Sequence, residues 1–152
     1  MNNPVKVAVA VAAALAGCGL TGGGLHGAPP SDLAGVWEVV TIHSGRDTPY
    51  SVLTIELRVR GDEVSGSYCF ILDYGNRIDC DPESGENFQG RLSGNGRSAH
   101  VSFQSFFGGG PGQATLNLRD SVLLWTVTVT PDGGLYPGPM QAKLLPVSRA
   151  GD

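Results

Sequence analysis

From Ala34 onward the dominant spacing of apolar residues is two, and this alternation restricts the chain to half-buried β-strands. Leu53, Ile55, Leu57 and Val59 alternate with Thr54, Glu56, Arg58 and Arg60. Val64, Gly66, Tyr68, Phe70 and Leu72 are interleaved with Ser65, Ser67 and Cys69. The same rule holds for Ala99 to Phe103 and for Leu123 to Val129, and shorter runs obey it at Phe88–Leu92, Ala114–Leu118 and Met140–Leu145. Successive strand side chains point to opposite faces, so each run has one face for a core and one for water. No stretch after Cys18 carries the period of a long amphipathic helix. Eight strands are expected, at 35–43, 51–60, 63–72, 87–93, 98–105, 113–119, 122–130 and 139–146. The first is apolar on both faces, which leaves its register open.

The connections between these strands alternate in kind. Gly61-Asp62, Gly94-Asn95-Gly96 and Asp120-Ser121 are tight-turn signals. The segments 44–50, 73–86, 106–112 and 131–138 are long. Successive connections of an antiparallel meander fall at opposite ends. All four long loops should therefore share one end, where loops on a rigid scaffold commonly bind. Closure into an eight-stranded antiparallel up-and-down barrel removes the exposed edges. A two-sheet β-sandwich satisfies the same alternation and stays open as the alternative.

The N-terminus carries a different message. Lys6 supplies one positive charge, Val7 to Leu15 is an apolar stretch too short to cross a bilayer, and small residues follow. This segment ends in Leu15-Ala16-Gly17-Cys18, which resembles the lipobox of bacterial lipoproteins. The resemblance implies a signal peptide over 1–17, an acylated Cys18 as the mature N-terminus, and a membrane anchor. Gly19 in place of Asp implies sorting to the outer membrane, facing the periplasm. Removing residues 1–17, and with them Lys6, takes the formal charge from −4 to −5. That balance disfavours nucleic acid and tolerates a basic partner. Residues 18–33, rich in Gly and Pro, read as anchor and flexible tether. A single β domain is expected over 34–148, as a monomer, with a disordered end at 149–152.

With Cys18 acylated, Cys69 and Cys80 remain, and an exported domain sits where thiols pair. A Cys69–Cys80 disulfide is the expectation. Metal binding is the rival, but no zinc-type spacing exists, and His26, His43 and His100 are far apart. Asp79-x-Asp81-x-Glu83 lacks the glycine of an EF-hand at its sixth position. No metal and no cofactor are expected.

Gly35-Val36-Trp37 is similar to the Gly-x-Trp that opens lipocalins and related calycin barrels. That likeness implies a calycin-like barrel with the Trp packed across its closed end.

The long loops hold the candidate contact residues. Asp73, Tyr74, Asp79, Asp81 and Glu83 lie in the third-to-fourth connection, which a disulfide would tie at its base. Their charge suggests an acidic finger for a cationic partner. Phe106 and Phe107 are adjacent, so both cannot face inward from a regular strand. Tyr136 sits between glycines and prolines in the last long loop. No catalytic motif is present: His43 has Asp47 near it but no nucleophile elbow. Two function classes follow. One is a non-enzymatic binding module, an inhibitor or immunity factor against a basic cell-wall hydrolase of the periplasm. Small disulfide-bridged β lipoproteins of this kind resemble periplasmic lysozyme inhibitors, and this resemblance carries the partner class. The other is a carrier of one small apolar ligand, as an eight-stranded barrel allows.

Overall fold

A computed structural model describes residues 32–80, 85–133 and 135–148. The expected signal peptide over 1–17, Cys18, residues 19–31, Asp81, Glu83 and 149–152 lie outside the described residues. Among the described residues nine strands run in chain order: β1 (Gly35–Thr41), β2 (Ser51–Arg60), β3 (Glu63–Leu72), β4 (Arg77–Asp79), β5 (Phe88–Leu92), β6 (Ser98–Phe103), β7 (Gly112–Arg119), β8 (Val122–Val129) and β9 (Gln141–Pro146). Eight of them form a closed antiparallel barrel. Each pairs with the next around the ring, and β9 returns to β1 through Trp37↔Pro146 and Glu38↔Leu145. This closure excludes the two-sheet sandwich.

The alternation sets the wall. Leu53, Ile55 and Leu57 of β2, Tyr68 and Phe70 of β3, Val101 and Phe103 of β6, Leu116 of β7, Leu123 and Trp125 of β8 and Leu144 of β9 are buried in one cluster. Their neighbours face out. The open register of the first strand resolves with Trp37 inward, while Val40 and Ile42 are exposed. Burial of this many large side chains, each contributing about 1.5–3 kcal/mol, is what holds the ring shut.

Two glycines let the wall bend. A Cβ on Gly66 would collide with the carbonyl oxygen of Glu56, and one on Gly90 with that of His100. Strands approach there more closely than any side chain allows, as at a barrel corner.

The connections sort as the meander requires. Tight turns at Gly61-Asp62 and Asp120-Ser121 join β2 to β3 and β7 to β8. The second uses left-handed backbone at both positions (φ 45° and 66°), the signature of a type I′ hairpin. At the opposite end the long loops touch one another. Phe106 N–H donates to Asp79 Oδ1 (2.7 Å), Gly109 N–H to Asp132 O (2.8 Å), and Tyr74 N–H to Tyr50 O (3.1 Å).

Three expectations need correction. Residues 73–86 are not a plain loop: they contain a 3₁₀ turn at Asp73–Gly75 and the strand β4, which pairs with β3 outside the ring. A three-residue strand shows no period, so alternation cannot reveal it. Leu33, assigned to the tether, is fully buried in the core, and Trp37 Nε1 donates to its carbonyl (2.9 Å). The ordered domain therefore includes the end of that segment. The expected strands also run up to two residues past the observed ones, for example 35–43 against Gly35–Thr41, because the loop ends leave the ladder early.

Candidate functional site at the long-loop end

The local chain path after β3 is unusual. Asp73, Tyr74 and Gly75 have φ of 53°, 57° and 96°, three left-handed residues in succession. The first two have side chains, so this reversal is strained. Asn76 steadies it by donating from its backbone N–H (3.1 Å) and from Nδ2 (2.8 Å) to Asp73 O. The chain then returns along β3 as β4, and Cys80 bonds to Cys69. Turn and disulfide together hold Asp79 opposite Phe70.

Asp79 is 0 % exposed. Its Oδ1 accepts from Ser105 Oγ (2.7 Å) and from the Phe106 N–H (2.7 Å), and its Oδ2 from the Tyr68 hydroxyl (3.1 Å). Ser105 Oγ in turn accepts from the Phe107 N–H (3.2 Å). The Tyr136 hydroxyl lies 3.3 Å from that of Tyr68 and 3.3 Å from Pro139 O, which also accepts from Trp125 Nε1 at 3.3 Å. A buried carboxylate persists only when its oxygens are satisfied, and three donors satisfy this one. Burial drives the Tyr68 hydroxyl far above its ordinary range, with Tyr136 and Asp79 adding to the effect. Tyr136 is pushed up to about 12, burial outweighing the hydrogen bonds of Tyr68 and Trp125 that act the other way. Both hydroxyls thus stay protonated and structural.

Below this network the interior is occupied by rings. Tyr68 stacks on Trp125 (5.7 Å between centroids), and Phe103 meets Tyr68 (5.3 Å), Trp125 (5.1 Å) and Tyr136 (5.6 Å). These side chains take the volume an apolar ligand would need.

Above the network, Phe106 stands 67 % exposed although its backbone is tied to Asp79. Phe107 meets it edge to face (5.5 Å, 85°), and the Arg77 guanidinium lies 5.7 Å from the Phe107 ring. Ile78 and Leu135 are exposed beside the same loops. A second cluster is built by the strained turn. Tyr74 meets Tyr50 (5.4 Å) and His43 (6.2 Å), His43 stacks on Tyr50 (4.2 Å), and Arg46 covers Tyr74 (5.2 Å).

Asp79, expected on an exposed acidic finger, is not exposed. Asp79 points inward, because its carboxylate is the acceptor for three buried or half-buried donors. Glu86 lies on the outer wall, bound to Arg58 Nη1 (3.0 Å) and Ser65 Oγ (3.0 Å). Only Asp73, of the expected acids described, is exposed at the mouth. Tyr74, Phe106, Phe107 and Tyr136 do gather at that end. Arg77, Tyr50 and Arg46, which the long loops also carry, join them there. Ser105 is the member that sequence reasoning missed, because a buried serine beside two phenylalanines carries no motif. Among the described residues no group of three His, Cys, Asp or Glu side chains converges as a metal site. No family model, curated protein or solved structure matches the chain.

Proposed function

We propose that this chain is an acylated, envelope-anchored binding module without catalytic activity, and that the long-loop end grips a protein partner. The lipobox supports the anchor. The position of Leu33 and Trp37 supports the orientation, since β1 starts at the tight-turn end and the long loops lie at the far end of the ring. The observation that carries the reading is Phe106: a large apolar ring in water whose backbone is fixed by a fully buried carboxylate. Exposing such a ring has no benefit to folding. Fixing it in advance lowers the entropic cost of docking, and aromatic and arginine side chains dominate interface energetics. An inhibitor or immunity factor against a periplasmic cell-wall hydrolase is the form of this function that the resemblance to lysozyme-inhibitor lipoproteins favours. The filled interior speaks against the carrier alternative.

The test places a photo-crosslinking amino acid at 106 and, separately, at 121 on the opposite end. In envelopes of the native host, position 106 should capture one discrete species, competed by unlabelled chain but not by the Phe106→Ser chain. Equal capture from both positions, or competition by Phe106→Ser, rejects the proposal.

A further inference from the structure

A broad hollow lies away from the mouth. It lies on the outer wall over β3, β5 and β6 and encloses about 790 Å³. A second hollow of about 310 Å³ continues it towards the loops, sharing Glu86, Gln89 and Ser102. The first hollow by itself has the size of a small-molecule site. The cause is geometric. A twisted barrel wall is saddle-shaped, so its outside is concave along the axis, and at Gly90 the backbone of β5 is drawn close against that of β6.

The register makes the hollow ordered. Arg58 pairs with Ser65, Ser65 with Gln89, Gln89 with Ser102 and Ser102 with Gln113, which is one outward row across five strands. Arg60, Glu63, Arg91, His100 and Thr115 form the adjacent row by the same pairings. Each row therefore repeats a polar side chain at the strand spacing of about 4.8 Å. Charge is nearly balanced: Arg58 is held by Glu86, Arg91 by Asp62 (2.6 Å), and Arg60 stands opposite Glu63. The side chains of Gln89, Ser102, Gln113 and His100 make no hydrogen bond within the described residues, so their donors and acceptors are available.

We propose that this trench binds an extended, uncharged oligosaccharide lying across the strands. Paired donors and acceptors on planar amide and guanidinium groups suit the vicinal hydroxyls of sugars. The ring-to-ring repeat of a 1,4-linked chain is close to one strand spacing, so successive sugars meet successive strands. The balanced charge favours a neutral chain over an anionic one. This site is separate from the mouth and does not depend on what the mouth binds.

The test is calorimetric titration of the full chain, in detergent, with the tetramer of N-acetylglucosamine and separately with tetraglutamate. Binding of the tetrasaccharide is expected, with a dissociation constant raised about tenfold or more by Ser102→Trp, which fills the floor, and by the Gln89→Ala/Gln113→Ala pair. Both changes face water, and an unchanged thermal melt verifies the fold. Phe106→Ser should leave the affinity unaltered, which separates this site from the mouth. Absence of tetrasaccharide binding, indifference to both trench variants, or preference for tetraglutamate overturns the proposal.

Discussion

The two ends of this barrel are closed by opposite physical means. At the tight-turn end the closure is mainly apolar: Leu33 lies in the core, Trp37 packs against it, and Trp37 Nε1 donates to Leu33 O. At the long-loop end the closure is polar, a fully buried carboxylate joining β4, the β6–β7 loop and the interior tyrosines. Apolar plugs are non-directional and lose stability in proportion to the volume removed. A buried polar network is directional, fixes loop positions, and fails sharply when one partner is lost. The end that only has to be closed has the first kind. The end that presents an exposed Phe106 in a fixed place has the second.

That contrast can be broken by mutation. The largest effect is expected for Trp37→Ala, which should lower stability by about 4 kcal/mol in urea denaturation. Trp37→Phe, which keeps most of the volume and loses the bond, should cost only about 1 kcal/mol. If the two variants cost the same, the apolar account of that end is wrong. Next is Asp79→Ala, expected to cost about 3 kcal/mol, because Ser105, Tyr68 and the Phe106 amide lose their acceptor together. Faster hydrogen exchange at the Phe106 amide should accompany it, while amides near Trp37 stay protected. Uniform loss of protection at both ends would show that the ends are not independent.

The smallest effect sharpens the comparison through pH. Tyr136 holds its proton to about 12 in the folded chain, against 10.0 for an ordinary tyrosine. Between these values the unfolded chain releases a proton that the folded chain keeps. Stability contributed by the neutral hydroxyl is therefore complete below pH about 10 and is lost as pH rises towards 12. Tyr136→Phe should cost about 1 kcal/mol at neutral pH and flatten the loss of stability across that alkaline window. An unchanged slope in alkaline urea melts would remove Tyr136 from the network.

How much of this was legible in the sequence differs by scale. The strands, the inward set from Leu53 to Trp125 and the alternation of tight and long connections could be read from residue spacing, and the disulfide from the two cysteines that the β domain contains. The site was legible only in part. An exposed ring at Phe106 or Phe107 announced itself, because two adjacent aromatics cannot both be buried from one strand; which of the two it is did not. The direction of Asp79 did not, since an aspartate in a polar loop looks the same whether it meets water or three buried donors. Ser105 and Asp79 are 26 residues apart, and no local pattern encodes a bond of that separation. The outer trench was equally invisible, because its polar rows exist only across strands.

By itself, then, the sequence determined the period-two wall, the turn chemistry and the covalent link between Cys69 and Cys80, all of them properties of near neighbours. Ring closure through β1 and β9, the inward turn of Asp79, the outward stand of Phe106 and the alignment of Arg58 with Gln113 were decided by tertiary structure. Each depends on which strands become adjacent, and adjacency is fixed by the collective burial of the core rather than by any residue's own preference.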